Sequence, residues 1–103
     1  MSVLPASDCL TMKDVRAGVD ALDHELVALL ARRFTYMDAA ARIKPRRDQV
    51  RDEARKAQVI ANASAAAAAA GLPARLAETL WEALIEASIA HELEKWDALR
   101  PEG

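Results

Sequence analysis

Residues 12–44, MKDVRAGVDALDHELVALLARRFTYMDAAARIK, run without a proline, and Pro45 follows them at once. This stretch constrains the fold more than any other. Val15, Val19, Leu22, Leu26 and Leu29 recur at alternating spacings of four and three, the seam of an amphipathic helix that packs on a partner helix. Thr11 can cap its start, with Asp14 completing a capping-box pattern. Pro45 ends it, because proline lacks the N–H that the next turn needs. A helix of about 33 residues would be roughly 50 Å long. That is long for a lone domain, so a partner chain is expected to cover part of it.

RRDQ, 46–49, reads as a polar connection. A second helix is expected from about 50 to 70, through VRDEARKAQVIANASAAAAAA, with the alanine run 65–70 supplying helix propensity and close packing. Gly71 is a natural C-terminal stop, and Pro73 suits the first turn of a third helix over about 73–99. The apolar residues of that helix include Leu76, Leu80, Trp81, Leu84, Ile85, Ile89, Leu93 and Trp96. The expectation is an all-α chain of three helices in one domain spanning 1–103. Composition agrees: half the residues are apolar, alanine and leucine dominate, and the aromatics are two Trp, one Tyr and one Phe. A formal net charge of −2 argues against a general nucleic-acid binder. No apolar run approaches the roughly 20 residues of a membrane span. The N-terminus lacks the pattern of a signal peptide. The single cysteine, Cys9, cannot pair within the chain, which fits a cytoplasmic location.

Charges interrupt two of the apolar lines. Continuing the first seam past Leu29 leads to Arg33, then Tyr36 or Met37, Ala40 and Lys44. Arg33 and Lys44 are 11 residues apart, about three turns, and share a face at a separation of roughly 16 Å. On the third helix Leu80, Leu84, Ser88, Glu92 and Trp96 form a row at spacing four, interrupted by Ser88 and Glu92. A buried carboxyl without a partner costs several kcal/mol or becomes neutral. These groups have three readings. Their stems can lie on apolar surface while the heads reach water. Arg33 or Lys44 can form a structural ion pair with Glu92. Or together they can line a pocket for an anion.

Arg16 stands 17 residues before Arg33, roughly 25 Å along a straight helix and about 100° around it. Alone it reads as a surface arginine. It can share a small-molecule site with Arg33 only if an antiparallel copy of the helix brings it from another subunit. His24 reads as a surface residue and His91 as an ordinary helix residue beside Glu92. Gly18 would permit a close approach to its helix.

At this point the residues resemble a family, the small all-helical chorismate mutases together with their relatives the isochorismate pyruvate lyases. Residues 14–44 carry R-x2-(I/V)-D-x2-D-x2-(L/I)-(V/L)-x-L-L-x-x-R, from Arg16 to Arg33, and then Lys44 eleven residues on. VRDEAR, 50–55, and EASIAHE, 86–92, follow in order. The resemblance implies an intertwined helical homodimer with two shared active sites and no cofactor or metal. Arg16 would come from one subunit and the other residues from its partner. Arg16 and Arg33 would hold the substrate's carboxylates, and Lys44 the ether oxygen and a carboxylate. Asp52 and Arg55 fall where the substrate's hydroxyl and a carboxylate are met. Ser88 matches a small polar contact, and Glu92 a hydrogen-bond donor to the ether oxygen.

The residue types suit that reaction. Arginine forks bind carboxylates with paired, charge-assisted bonds. Rearrangement of chorismate to prephenate, in the shikimate route to aromatic amino acids, is unimolecular and needs no nucleophile. It gains from holding the substrate in its compact shape and from donors at the breaking ether bond. An ionised carboxylate cannot donate, so turnover is expected to decline with rising pH, and Glu92→Gln to flatten the decline. Lys56 stands where many mutases carry Glu. That feature, Trp96 and the N-terminal DCLTMKDVR resemble the lyase branch, which releases salicylate and pyruvate from isochorismate. Ser88 and Glu92 follow the mutases, and the mutase is the favoured reading. A non-catalytic helical dimerisation module would share the long seams but would not require Arg16, Arg33, Lys44, Arg55 and Glu92 where they stand.

Overall fold

A computed structural model describes residues 3–101. Among these the chain is all-helical, with α1 at Met12–Ile43, α2 at Glu53–Ala69 and α3 at Ala74–Leu99. Single 3-10 turns precede α1, at Ala6–Asp8, and α2, at Arg47–Gln49. No helix among the described residues is long and apolar enough to cross a membrane. The chain divides into two compact units between Thr35 and Tyr36.

The first unit holds the N-terminal segment and the greater part of α1. The start of α1 forms the expected reciprocal cap: Asp14 N–H donates to Thr11 Oγ1 at 3.2 Å, and Thr11 N–H donates to Asp14 Oδ2 at 3.2 Å. Leu10 N–H adds a bond to the same carboxylate. That bond, ahead of those from Thr11, holds the Asp14 carboxyl below its usual range. A Cβ on Gly18 would meet Val3 Cγ1 at 3.8 Å, an ordinary contact. The seam is bare: Val15, Val19, Leu22, Leu26 and Leu29 are between 39% and 59% exposed.

The second unit contains the packed core. Ala41, Val50, Ile85, Ile89 and Trp96 are buried together, with Val59, Ile60, Trp81 and Leu93 against them. The helix expected to begin near residue 50 begins instead at Glu53. Val50 closes the preceding 3-10 turn and is buried, and Asp52 is the N-cap, accepting a bond from Arg55 N–H at 3.0 Å. The polar residues 46–49 wind into that turn because the chain must return Val50 to the core after leaving α1. The other ends move by one residue: α1 stops at Ile43, α2 at Ala69, and Pro73 is the N-cap of α3. Gly71 adopts φ +81°. Around it Leu72 N–H donates to Ala67 O and Gly71 N–H to Ala68 O, the paired bonds that end a helix on a left-handed residue. Of the alanine run 65–70 only Ala67 is buried, one residue per turn.

Helices α2 and α3 therefore lie antiparallel, and a charge lattice joins them. Arg51 donates from both terminal nitrogens to Glu86, at 2.7 and 3.0 Å, and also reaches Glu53. Lys56 Nζ donates to Glu82 at 2.7 Å and Glu86 at 2.8 Å. Arg51, and then Lys56, hold the Glu86 carboxyl down to about 2, against 4.5 ordinarily. A depressed carboxyl stabilises the fold above its unfolded pKa and loses that contribution as pH falls through the folded one. Acid should therefore weaken the protein progressively between about pH 4.5 and 2, and Glu86→Gln should lower stability at neutral pH while flattening this slope. Urea midpoints across that window test the expectation, and parallel slopes in the two proteins would refute it.

Candidate active site

The position of Lys44 follows from how α1 ends. Lys44 N–H makes the last helical bond, to Ala40 O at 2.9 Å. The next donor would come from residue 45, but proline has none, and Arg46 N–H turns away to Gln49 Oε1. Side chains from the end of α3 take over. Arg100 donates to the carbonyls of Ala41, Arg42 and Lys44 at 3.0, 3.2 and 3.0 Å. Trp96 Nε1–H donates to Lys44 O at 3.0 Å. The Arg100 guanidinium lies 4.4 Å above the Trp96 ring centroid.

On α3, spacing four places Ser88, Glu92 and Trp96 on one inward face, and all three are buried. Ser88 Oγ donates to Leu84 O at 2.7 Å. Lys44 Nζ donates to Glu92 Oε2 at 2.7 Å, with the lysine side chain 30% exposed and the glutamate 5%. Of the readings open from sequence, the structure shows an ion pair of Lys44 with Glu92. The carboxylate sits inside and the ammonium reaches outward. A lysine ammonium carries three N–H donors, so Lys44 can hold Glu92 and still face a second acceptor.

Lys44 and Asp52 also line one open cleft, of about 620 Å³, with Ile43, Pro45, Gln49 and Arg51. That volume lies within the range of small-molecule pockets. Its charges are mixed. Asp48, Asp52 and Glu53 border it as well, and Arg51 is committed to Glu53 and Glu86. Arg55 is exposed, its guanidinium bonded to Gln58 Oε1 along its own helix. Arg16 and Arg33 belong to the first unit, Arg16 exposed and Arg33 half-buried.

Three features were not read from sequence. Lys56 is tied to α3 by Glu82 and Glu86 and does not line the cleft. His91 Nε2 lies 2.6 Å from Asp38 Oδ1, a second polar bridge between α1 and α3 beside that of Lys44. Arg100 caps α1. Only the last had a signal in the chain, since Pro45 strips a donor that the carbonyl of Ala41 would otherwise meet.

Fold and geometry thus define a class, a small all-helical protein with a lysine–glutamate pair set where one helix ends against another. The family model described as chorismate mutase type II matches residues 15–93, most of the chain. The protein belongs to that family, and membership supports chorismate mutase activity. Comparison with curated proteins finds no match. The matched segment ends at Leu93, before Trp96 and Arg100.

Proposed function

We propose that the protein is a single-domain chorismate mutase that converts chorismate to prephenate as a homodimer. The observation that carries this reading is the Lys44–Glu92 contact, an ammonium held on a buried carboxyl. Lys44 donates to the ether oxygen as negative charge develops there, and Glu92 donates to the same oxygen when it carries a proton. The Lys44 ammonium is fixed on Glu92 before the substrate arrives, so little reorganisation of that donor is left for the transition state. The cleft beside Lys44 does not itself suit a dianion, since carboxylates outnumber lysine and arginine in its walls. Arg33 and Arg16 of the partner subunit supply the missing positive charge and grip the two carboxylates. The bare seam of α1, with Leu22 and Leu26 more than half exposed, is the surface that a second copy covers.

One observation favours a second reading. Residue 56 supplies no acid toward the substrate hydroxyl: it is a lysine, and its ammonium is held by Glu82 and Glu86. The lyase reaction on isochorismate would use the same cations and the same ether-oxygen donors. One set of assays separates the outcomes: chorismate loss, and salicylate fluorescence with isochorismate. The expected result is prephenate formation from chorismate with no salicylate release from isochorismate. Salicylate release with no loss of chorismate would assign the lyase. Turnover of neither substrate would leave a helical dimerisation module.

A further inference from the structure

We propose that Arg100 is a positioning residue for Lys44, clamping the last turn of α1 so that the ammonium is held at one place on Glu92. This rests on the reading of Lys44 as the group that meets the ether oxygen. The argument begins with an unmet requirement. Helices end with carbonyls that lack intrahelical donors, and Pro45 removes the one that would serve Ala41. Ala41 is fully buried, at 0% exposure, so water cannot substitute, and a bare carbonyl there would carry its full desolvation cost. Arg100 supplies that bond and adds bonds to Arg42 O and Lys44 O.

The fork suits the task because its donors are rigidly spaced. Its positive charge also sits at the negative end of the helix dipole. Trp96 sets the fork's height: its ring, buried within the core, carries the guanidinium on one face and sends its N–H to Lys44 O. Lys44 is thus bonded through its N–H to Ala40 and through its carbonyl to the side chains of Trp96 on α3 and Arg100 just past its end. Glu92 stands one turn before Trp96 on the same helix. The backbone that carries the ammonium and the carboxyl that receives it are therefore referred to one frame, in which Arg100 makes three of the bonds.

The test uses the full chain with Arg100→Ala, Arg100→Lys and Trp96→Phe, each assayed well below its melting temperature. Arg100→Ala is expected to lower kcat for chorismate by about tenfold to a hundredfold, the scale of a misplacement near 1 Å, with a much smaller change in KM. Arg100→Lys keeps the charge but not the fork, and should recover only a minor part. Amide hydrogen exchange at Lys44 should quicken in both. Wild-type kcat in Arg100→Ala would overturn the proposal, as would full recovery in Arg100→Lys, which would make charge alone sufficient. If Arg100→Ala does not fold, Trp96→Phe decides. It keeps an aromatic face for the guanidinium and removes one donor to Lys44 O, so kcat should fall, and an unchanged value overturns the clamp. If the wild type turns over neither substrate, the functional reading fails by itself. Exchange at the Lys44 amide then judges the clamp: faster in Arg100→Ala supports it, unchanged refutes it.

Discussion

Lys44→Ala is expected to lower kcat by about a thousandfold, the upper range for removing one fixed donor to a developing oxyanion. KM should rise as well, because the ammonium also meets a carboxylate in the proposed complex. The substitution has a second effect that can be measured apart from turnover. Glu92 is 4% exposed, and its carboxylate would lose the cation that compensates burial. Leaving one member of such a pair unmatched costs about 2 kcal/mol once the partial exposure of Lys44 is allowed for, or about 10 °C in melting temperature for a domain of this size. Adding Glu92→Gln to Lys44→Ala should restore much of the stability, since a neutral amide tolerates the site better than an unpaired carboxylate. It should restore none of the turnover. Thermal melts and chorismate loss on the single and double variants therefore separate the structural from the chemical role of the pair. A Lys44→Ala enzyme within tenfold of wild type would remove Lys44 from the mechanism.

What could be read from the chain beforehand was whatever is encoded locally. Thr11 with Asp14, Pro45, Gly71 and Pro73 each act within a turn of their own position, and each marks a helix end to within a residue. The inward direction of Ser88 and Glu92 was also readable, because a helix places every fourth residue on one face whatever packs there. The start of α2 is not legible in this way, because Val50 has the look of a first helical residue, yet it is drawn into the core before Asp52 caps the helix. The ties of Lys56 to α3 and of Arg100 to the end of α1 are illegible for a different reason. Each joins a long, charged side chain to groups 26 or more residues away along the sequence, and flexible stems give no periodic signal. Lys44 and Glu92 are 48 residues apart. Each stands out in the sequence because it breaks an apolar line, so a misplaced charge is more informative than a well-placed one.

Mixing two inactive variants should produce an active protein. On the proposed dimer each site draws Arg16 from one subunit and Lys44 with Glu92 from the other. If Arg16 serves the site, the sequence spacing requires this division: 17 residues separate Arg16 from Arg33, roughly 25 Å along one helix, too far for both to grip one small dianion. Arg16→Ala and Lys44→Ala should each lose at least about a hundredfold in kcat/KM alone. Unfolded together and refolded at equal concentration, half the dimers pair unlike subunits. One of their two sites then carries both substitutions and the other carries neither. Activity should return to roughly a quarter of the wild-type value per subunit. If every site were built within one chain, each site in the mixture would keep one defect, and no activity would return. The experiment also probes the bare seam of α1. Leu22→Glu with Leu26→Glu would place two carboxylates on the surface that a second copy covers in the proposed dimer, so those subunits should sediment as monomers and fail to complement either variant. Recovery with the charged seam would show that association does not use that face.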